Sequence, residues 1–352
     1  MIDTDERLAE FLPPLRAAEW IALDTEADSL HAYPEKVCLI QVSTVDGDRL
    51  IDPLAKLDLD PLLDALNAHR LIMHGADYDL RLLRKHHEFV PRAIFDTMLA
   101  ARLLGQRQFG LASLVEQFLG VKLEKGAQKA NWARRPLTER MELYARNDTH
   151  YLKPLADRLK LELQQRGRLA WHEESCARLI EECTRLQPTD PDHVWRVKGS
   201  FALSRGALAV LRALWHWRER EAVANNRPPF FILPHDALVE LAAAAEARRP
   251  IEPILPRHLS QRRRDGLARA VKAGLEVPPA QYPSVLRHNH RRPTESERRR
   301  YHELEKRRNV QAHKLEMDPT LIASRSTLND LSRDWVRHAP SLMNWQRELL
   351  KA

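Results

Sequence analysis

Asp24, Glu26, Asp79, Tyr144 and Asp148 are the residues whose types and spacing point most directly to chemistry. They lie in three short stretches. Ile21 to Glu26 is an apolar run that ends in Asp-Thr-Glu, Leu71 to Leu80 carries His74, Asp77 and Asp79, and Tyr144 to Asp148 is a Tyr-x-x-x-Asp. Residues two apart on a strand share a face, so Asp24 and Glu26 project together. Two adjacent carboxylates repel each other unless a cation lies between them. Tyr144 and Asp148, four apart on a helix, also share a face. Four carboxylates and a phenol form an oxygen-rich nest for two divalent cations, with a hydroxyl able to reach an attacking water. That set suits metal-dependent cleavage of a phosphodiester. Asp77 and Asp79 both suit the first turn of a helix, where the dipole favours acids, and the residues alone leave open which is the ligand.

The surrounding pattern says what must position these groups. Trp20 to Leu23, Val37 to Ser43 and Arg49 to Asp52 read as strands with short connections, hence an antiparallel meander. Pro61 to Ala68 reads as a helix, Leu71 to His74 as a strand, Ala76 to His86 as a helix and Ala93 to Phe95 as a fifth strand. The result is a mixed sheet covered by helices. From Asp96 onward only helices are expected. They include Gly110 to Phe118, one long helix from Thr138 to Gln165 bent or re-capped at Pro154, and Ala170 to Arg185. After a Pro- and Asp-rich link at Gln187 to His193 come two further helical segments, about Leu203 to Val277 and Thr294 to Leu350.

The chain has 352 residues, 43% of them apolar and 30% charged, enough for two or three globular domains. No run reaches the length of a membrane span, and residues 1 to 20 lack the basic start and apolar centre of a signal peptide. Cys38, Cys176 and Cys183 are too scattered for a disulfide framework or a zinc site, which fits a reducing cytoplasm. No phosphate loop of the type G-x-x-x-x-G-K-[ST] is present, which excludes an ATP-driven helicase. Residues 1 to 160 hold 22 Lys and Arg against 25 Asp and Glu, whereas residues 161 to 352 hold 34 against 24. The basic half suits a polyanion, although an ordinary solvated surface fits the count equally.

Taken together, the three stretches resemble the DEDD family of 3′-to-5′ exonucleases in its tyrosine subclass. Tyr33 to Gln41, Phe95 to Gly105 and Asn131 to Leu137 are similar to ribonuclease D. Leu211 to Leu241, with Trp217-Arg218 and Asn226-Arg227-Pro228-Pro229, resembles the HRDC helical module shared by RecQ-type helicases and ribonuclease D. The end of the chain, Asn344 to Leu350, resembles that family's second helical module more weakly.

The resemblance implies a ribonuclease H-like α/β exonuclease core at 1–165, a helical linker at 166–200, an HRDC domain at 201–280 and a second helical module at 290–352. It implies Asp24, Glu26, Asp79 and Asp148 as ligands of two Mg²⁺ or Mn²⁺ ions about 3.5–4 Å apart, with Asp24 bridging, and Tyr144 as the catalytic tyrosine. His74, Trp132 (by stacking) and Arg134 or Arg135 (through phosphate) are expected to touch a single-stranded 3′ end. The implied enzyme is a cytoplasmic, monomeric exoribonuclease that trims tRNA precursors and other small structured RNAs to release nucleoside 5′-monophosphates. A DNA exonuclease of the RecQ-associated type and an idle RNA-binding scaffold are the alternatives, and the complete acid set disfavours the scaffold. All five catalytic candidates precede residue 200, so a fragment 1–200 is expected to trim short RNA unaided.

Overall fold

β1 (Ile21–Ala27), β2 (Val37–Thr44), β3 (Gly47–Ile51), β4 (Arg70–Met73) and β5 (Ala93–Asp96) form one sheet in the order β3-β2-β1-β4-β5. The structure is a computed structural model and describes residues 1–124, 126–185, 190–256, 259–286 and 291–351. The first three strands pair antiparallel, as their short connections require, and β4 and β5 add in parallel beside β1. β1 is thus central. Its antiparallel register sets Asp24 opposite Gln41 and Glu26 opposite Leu39, with a bulge between Glu26 and Ala27.

Helices cover both faces. α1 (Asp5–Ala17), capped by Thr4, buries Leu8, Phe11, Leu12 and Leu15 at helical spacing. Pro13 and Pro14 lie inside it and weaken the helical signal of its sequence. On the same side lie α2 (Asp60–Asn67) and α3 (Asp77–His87), whose Leu62, Leu66, Leu80 and Leu83 join Ile21, Leu23, Ile40 and Val42 in one core. β5 runs into α4 (Thr97–Leu103), followed by α5 (Leu111–Leu119). The helix expected at 138–165 is two, α6 (Glu139–His150) and α7 (Leu152–Gln165), joined at Tyr151. Pro154 sits in the first turn of α7, where its missing N–H costs nothing. α6 packs on β1, β2 and β3, and α8 (Leu169–Thr184) follows.

The chain falls into two compact units. One joins Met1–Ala27 and Val37–Arg185 to Arg291–Ala352. The expected module at 290–352 therefore shares a core with the sheet. Leu304, Met317, Ile322, Leu328, Leu331 and Trp345 are buried in one cluster with Phe95, Leu103, Leu114, Leu155 and Leu159.

The other unit comprises Asp28–Lys36 and Leu186–His290. Of the expected link Gln187 to His193, residues 187–189 lie outside the described residues. Here α9 (Arg205–Ala224), α10 (Pro229–Ile232), α11 (His235–Glu246) and α12 (Gln261–Leu275) surround Leu208, Leu211, Leu214, Leu238, Leu241 and Leu267. Gly274 lets α12 approach α9 closely, since a Cβ there would lie 2.5 Å from Val210 Cα. The segment 28–36 belongs here because the Tyr33 hydroxyl donates to Glu219 at 2.6 Å and its backbone N–H to Asn226 Oδ1 at 3.2 Å.

Candidate active site

The fold brings Asp24 and Glu26 of β1 against Asp148 of α6. One carboxylate oxygen from each lies within 4.8 Å of the other two. The strand period sets the first pair, and Thr138, which caps α6 through Met141 N–H, starts the helix in the register that turns Tyr144 and Asp148 to the sheet. Ser43 Oγ on β2 meets Thr149 Oγ1 at 2.7 Å and pins the helix beside the acids.

Asp79 comes from the first turn of α3. It is buried, whereas Asp77 is exposed. Thr25 lies between the two β1 acids and points to the other face, where its hydroxyl donates to Asp79. Asp79 is not in the close trio, yet its charge disfavours ionisation of Asp24, Glu26 and Asp148. Sequence reading missed Thr25, although the alternation that paired Asp24 with Glu26 also set Thr25 apart from them.

Burial and mutual repulsion hold these acids far from their ordinary state. Burial pushes Glu26 up to about 9, with Asp148 and Asp79 adding to it. Burial raises Asp79 to about 7 against the pull of the Thr25 hydroxyl. Asp148 rises to about 7 for the same reason, opposed by a hydrogen bond from Tyr144. Asp24 is raised well above the carboxylate range by burial, then by Asp79, Asp148 and Glu26. Burial, then the charges of Asp148, Glu26 and Asp24, also push the Tyr144 phenol upward, so it remains a donor at neutral pH.

A pH dependence follows. Each carboxyl's folded pKa lies above its ordinary value near 4, so the folded state binds more protons and stability is lost as pH rises through the folded pKa. The melting temperature in EDTA should fall from about pH 5 to about pH 9. Mn²⁺ should restore it, most strongly at the alkaline end. A flat profile in thermal melts would contradict the close packing of these acids.

The turn before α3 is held by Asp96, which accepts from the N–H groups of Gly75, Ala76 and Leu99 at 3.2, 2.8 and 3.0 Å. Gly75 holds φ +67°, the left-handed region that favours glycine. Thr97 Oγ1 donates to Met73 O at 3.1 Å, so it accepts from His74 Nδ1 at 2.8 Å. Burial lowers the His74 pKa. The ring is thus neutral and offers Nε2 as an acceptor.

Two expected substrate contacts need correction. Trp132 is 1% exposed and packs with Leu39, Met141 and Ala145, its ring 6.0 Å from that of Tyr144. It packs beside Tyr144 and, being buried, offers no face to a base. Arg135 uses all five of its N–H donors within the protein, on both oxygens of Asp52 and on the carbonyls of Cys38, Trp132 and Arg134. None remains for phosphate. Arg134 is exposed and has no such engagement among the described residues.

Arg135→Ala should therefore cost about 2 kcal/mol or more by leaving the buried Asp52 without its cationic partner. Arg134→Ala should leave stability unchanged and reduce the salt slope of log RNA affinity by about 0.7 to 0.9. Urea melts and salt titrations check both, and the reverse pattern would restore Arg135 as a phosphate contact.

Comparison with known proteins places the chain. Residues 1–164 match the family model described as 3'-5' exonuclease, and residues 207–249 match the HRDC domain. Ribonuclease D of a Jannaschia species is 31% identical over 297 residues, covering 81% of this chain and 76% of that protein. The chain belongs to the ribonuclease D family. Ribonuclease D of Zymomonas mobilis is 35% identical over 247 residues, which cover 69% of this chain and 63% of the Zymomonas protein. The crystal structure of Escherichia coli RNase D, an exoribonuclease involved in structured RNA processing, superposes with a TM-score of 0.77 at 26% identity, covering 99% of this chain and 96% of that one. Among the described residues no helix is long and apolar enough to cross a membrane.

Proposed function

We propose that the chain is a metal-dependent 3′-to-5′ exoribonuclease that trims the 3′ ends of tRNA precursors and other small structured RNAs, working as a cytoplasmic monomer. The observation that carries this reading is the meeting of Asp24, Glu26 and Asp148 within 4.8 Å, in a chain of the ribonuclease D family. An all-oxygen set of half-buried acids fits hard divalent cations such as Mg²⁺ or Mn²⁺, which would relieve the repulsion that helps raise their pKa values. Asp24, Glu26 and Asp148, with Asp79 beside them, would hold the ions, Asp24 being the ligand proposed to be shared. Bound there, such ions supply a water of lowered pKa and offset charge on the leaving 3′ oxygen. Tyr144 stays protonated, so it orients the attacking water by hydrogen bonding and does not act as its base. His74 Nε2 and Arg134 are the proposed contacts to the terminal nucleotides. The basic helices of the second half would hold the RNA body.

Asp79→Asn should lose at least tenfold more activity than Asp77→Asn, since only Asp79 is buried and bound to Thr25. The opposite order would exchange their roles.

The function itself is tested with a 5′-labelled oligoribonucleotide beside the same sequence as DNA. The expected result is a descending ladder from the RNA and far slower loss from the DNA. Equal or faster DNA degradation would favour the RecQ-associated reading.

A further inference from the structure

Gln41 is the residue near the acid cluster whose chemistry the site does not yet use. It lies in the middle of β2, with Asp24 opposite on β1 and Leu50 opposite on β3. Its neighbours on the same face of β2 are Leu39, packed with Trp132, Met141 and Ala145, and Ser43, bonded to Asp48 and Thr149. Gln41 is 0% exposed. Neither its amide nitrogen nor its amide oxygen has a hydrogen-bond partner among the described residues. Leaving a buried polar group unmatched costs stability. A leucine or methionine would fill the same space between Leu39, Leu50 and α6 without that cost. Directly opposed residues of an antiparallel pair have Cβ atoms about 4.5–5.5 Å apart, so the Gln41 amide is in reach of the Asp24 carboxyl.

We propose that Gln41 is a positioning residue for Asp24, donating its side-chain N–H to the Asp24 carboxylate when that group holds cations. The inference rests on the metal reading of the acid cluster. An ionised carboxylate only accepts hydrogen bonds, and an oxygen facing away from a cation needs a donor to fix its plane. Within the sheet, Gln41 is the residue set directly opposite Asp24 from β2. Hydrogen bonds of this kind to metal ligands change metal affinity or activity by about 10- to 100-fold.

The test uses full-length protein and no substrate. Mn²⁺ affinity is measured by calorimetry for wild type, Asp24→Ala, Gln41→Met and Gln41→Leu, and each is melted in EDTA. Gln41→Met and Gln41→Leu should hold or raise the EDTA melting temperature, because two unpartnered polar atoms disappear. They should weaken Mn²⁺ binding about 10- to 100-fold. Unchanged Mn²⁺ affinity would overturn the proposal and leave Gln41 a packing residue.

If both variants fail to fold, wild type still decides. The ¹⁵N side-chain amide signal of Gln41 should shift and gain exchange protection on adding Mg²⁺, and an indifferent signal would overturn the proposal. Wild type that binds no Mn²⁺ would remove the metal reading itself. Binding lost in Asp24→Ala but intact in the Gln41 variants would remove only the role of Gln41.

Discussion

Asp24→Ala is expected to abolish RNA hydrolysis while its melting temperature without metal holds or rises. On the proposed reading Asp24 is the ligand shared by both ions, so the loss should exceed the ten- to hundredfold typical of residues that only support a metal ligand. Stability should move the other way. Asp24 is raised well above the carboxylate range by burial and by three neighbouring acids, so removing it relieves strain that the cation-free fold must bear. A steady-state assay with Mg²⁺ and a melt in EDTA read the two effects separately. Retained Mg²⁺-dependent trimming would remove Asp24 from the reaction.

Deletion of residues 291–352 should leave a protein that cannot fold cooperatively, although every catalytic candidate remains. Leu304, Ile322, Leu328, Leu331, Trp345 and Leu350 are buried in the cluster that holds Phe95, Leu103 and Leu159. The Trp345 ring stacks on Trp171 at 5.1 Å, and Arg168 donates to Leu315 O at 2.7 Å. Gly105 lies so close to this segment that a Cβ would fall 1.9 Å from Glu316 O. Losing one buried leucine side chain costs about 2–5 kcal/mol, against a total stability of about 5–15 kcal/mol for a typical protein. The fragment 1–200, expected from its sequence to trim RNA by itself, lacks this segment and should fail with it. Solubility and a denaturant melt of 1–290 check the point. A soluble, cooperative and active 1–290 would show that the sheet completes its core without the C-terminal helices.

Legibility in the sequence followed the range of the interaction. Asp24 with Glu26, and Tyr144 with Asp148, were readable because a strand repeats every two residues and a helix returns after four. The antiparallel meander was readable from loop length. Between Asp77 and Asp79 the residue reading stayed open, since both suit a helix start and only tertiary packing buries one of them. Trp132 and Arg135 went wrong for the same reason. An indole that packs a loop and an indole that stacks a base are spelled alike, and the five bonds that occupy Arg135 come from four residues, two of them about 80 to 100 positions away. The apolar face of 291–350 was visible, but a helical pattern does not say which core it completes. Gln41 ends the Tyr33 to Gln41 stretch, and only the sheet register sets it opposite Asp24 with no side-chain partner among the described residues.

The central claim, that this acid cluster directs water at the terminal phosphodiester of RNA, is tested most directly by the product formed in H₂¹⁸O. With Mg²⁺ present, mass spectrometry should find nucleoside 5′-monophosphates released from the 3′ end. Each should carry one ¹⁸O in its phosphate, and none should form in EDTA or with Asp24→Ala. Cyclic or 3′-phosphate products, internal cleavage, or ¹⁸O-free monophosphates would contradict it.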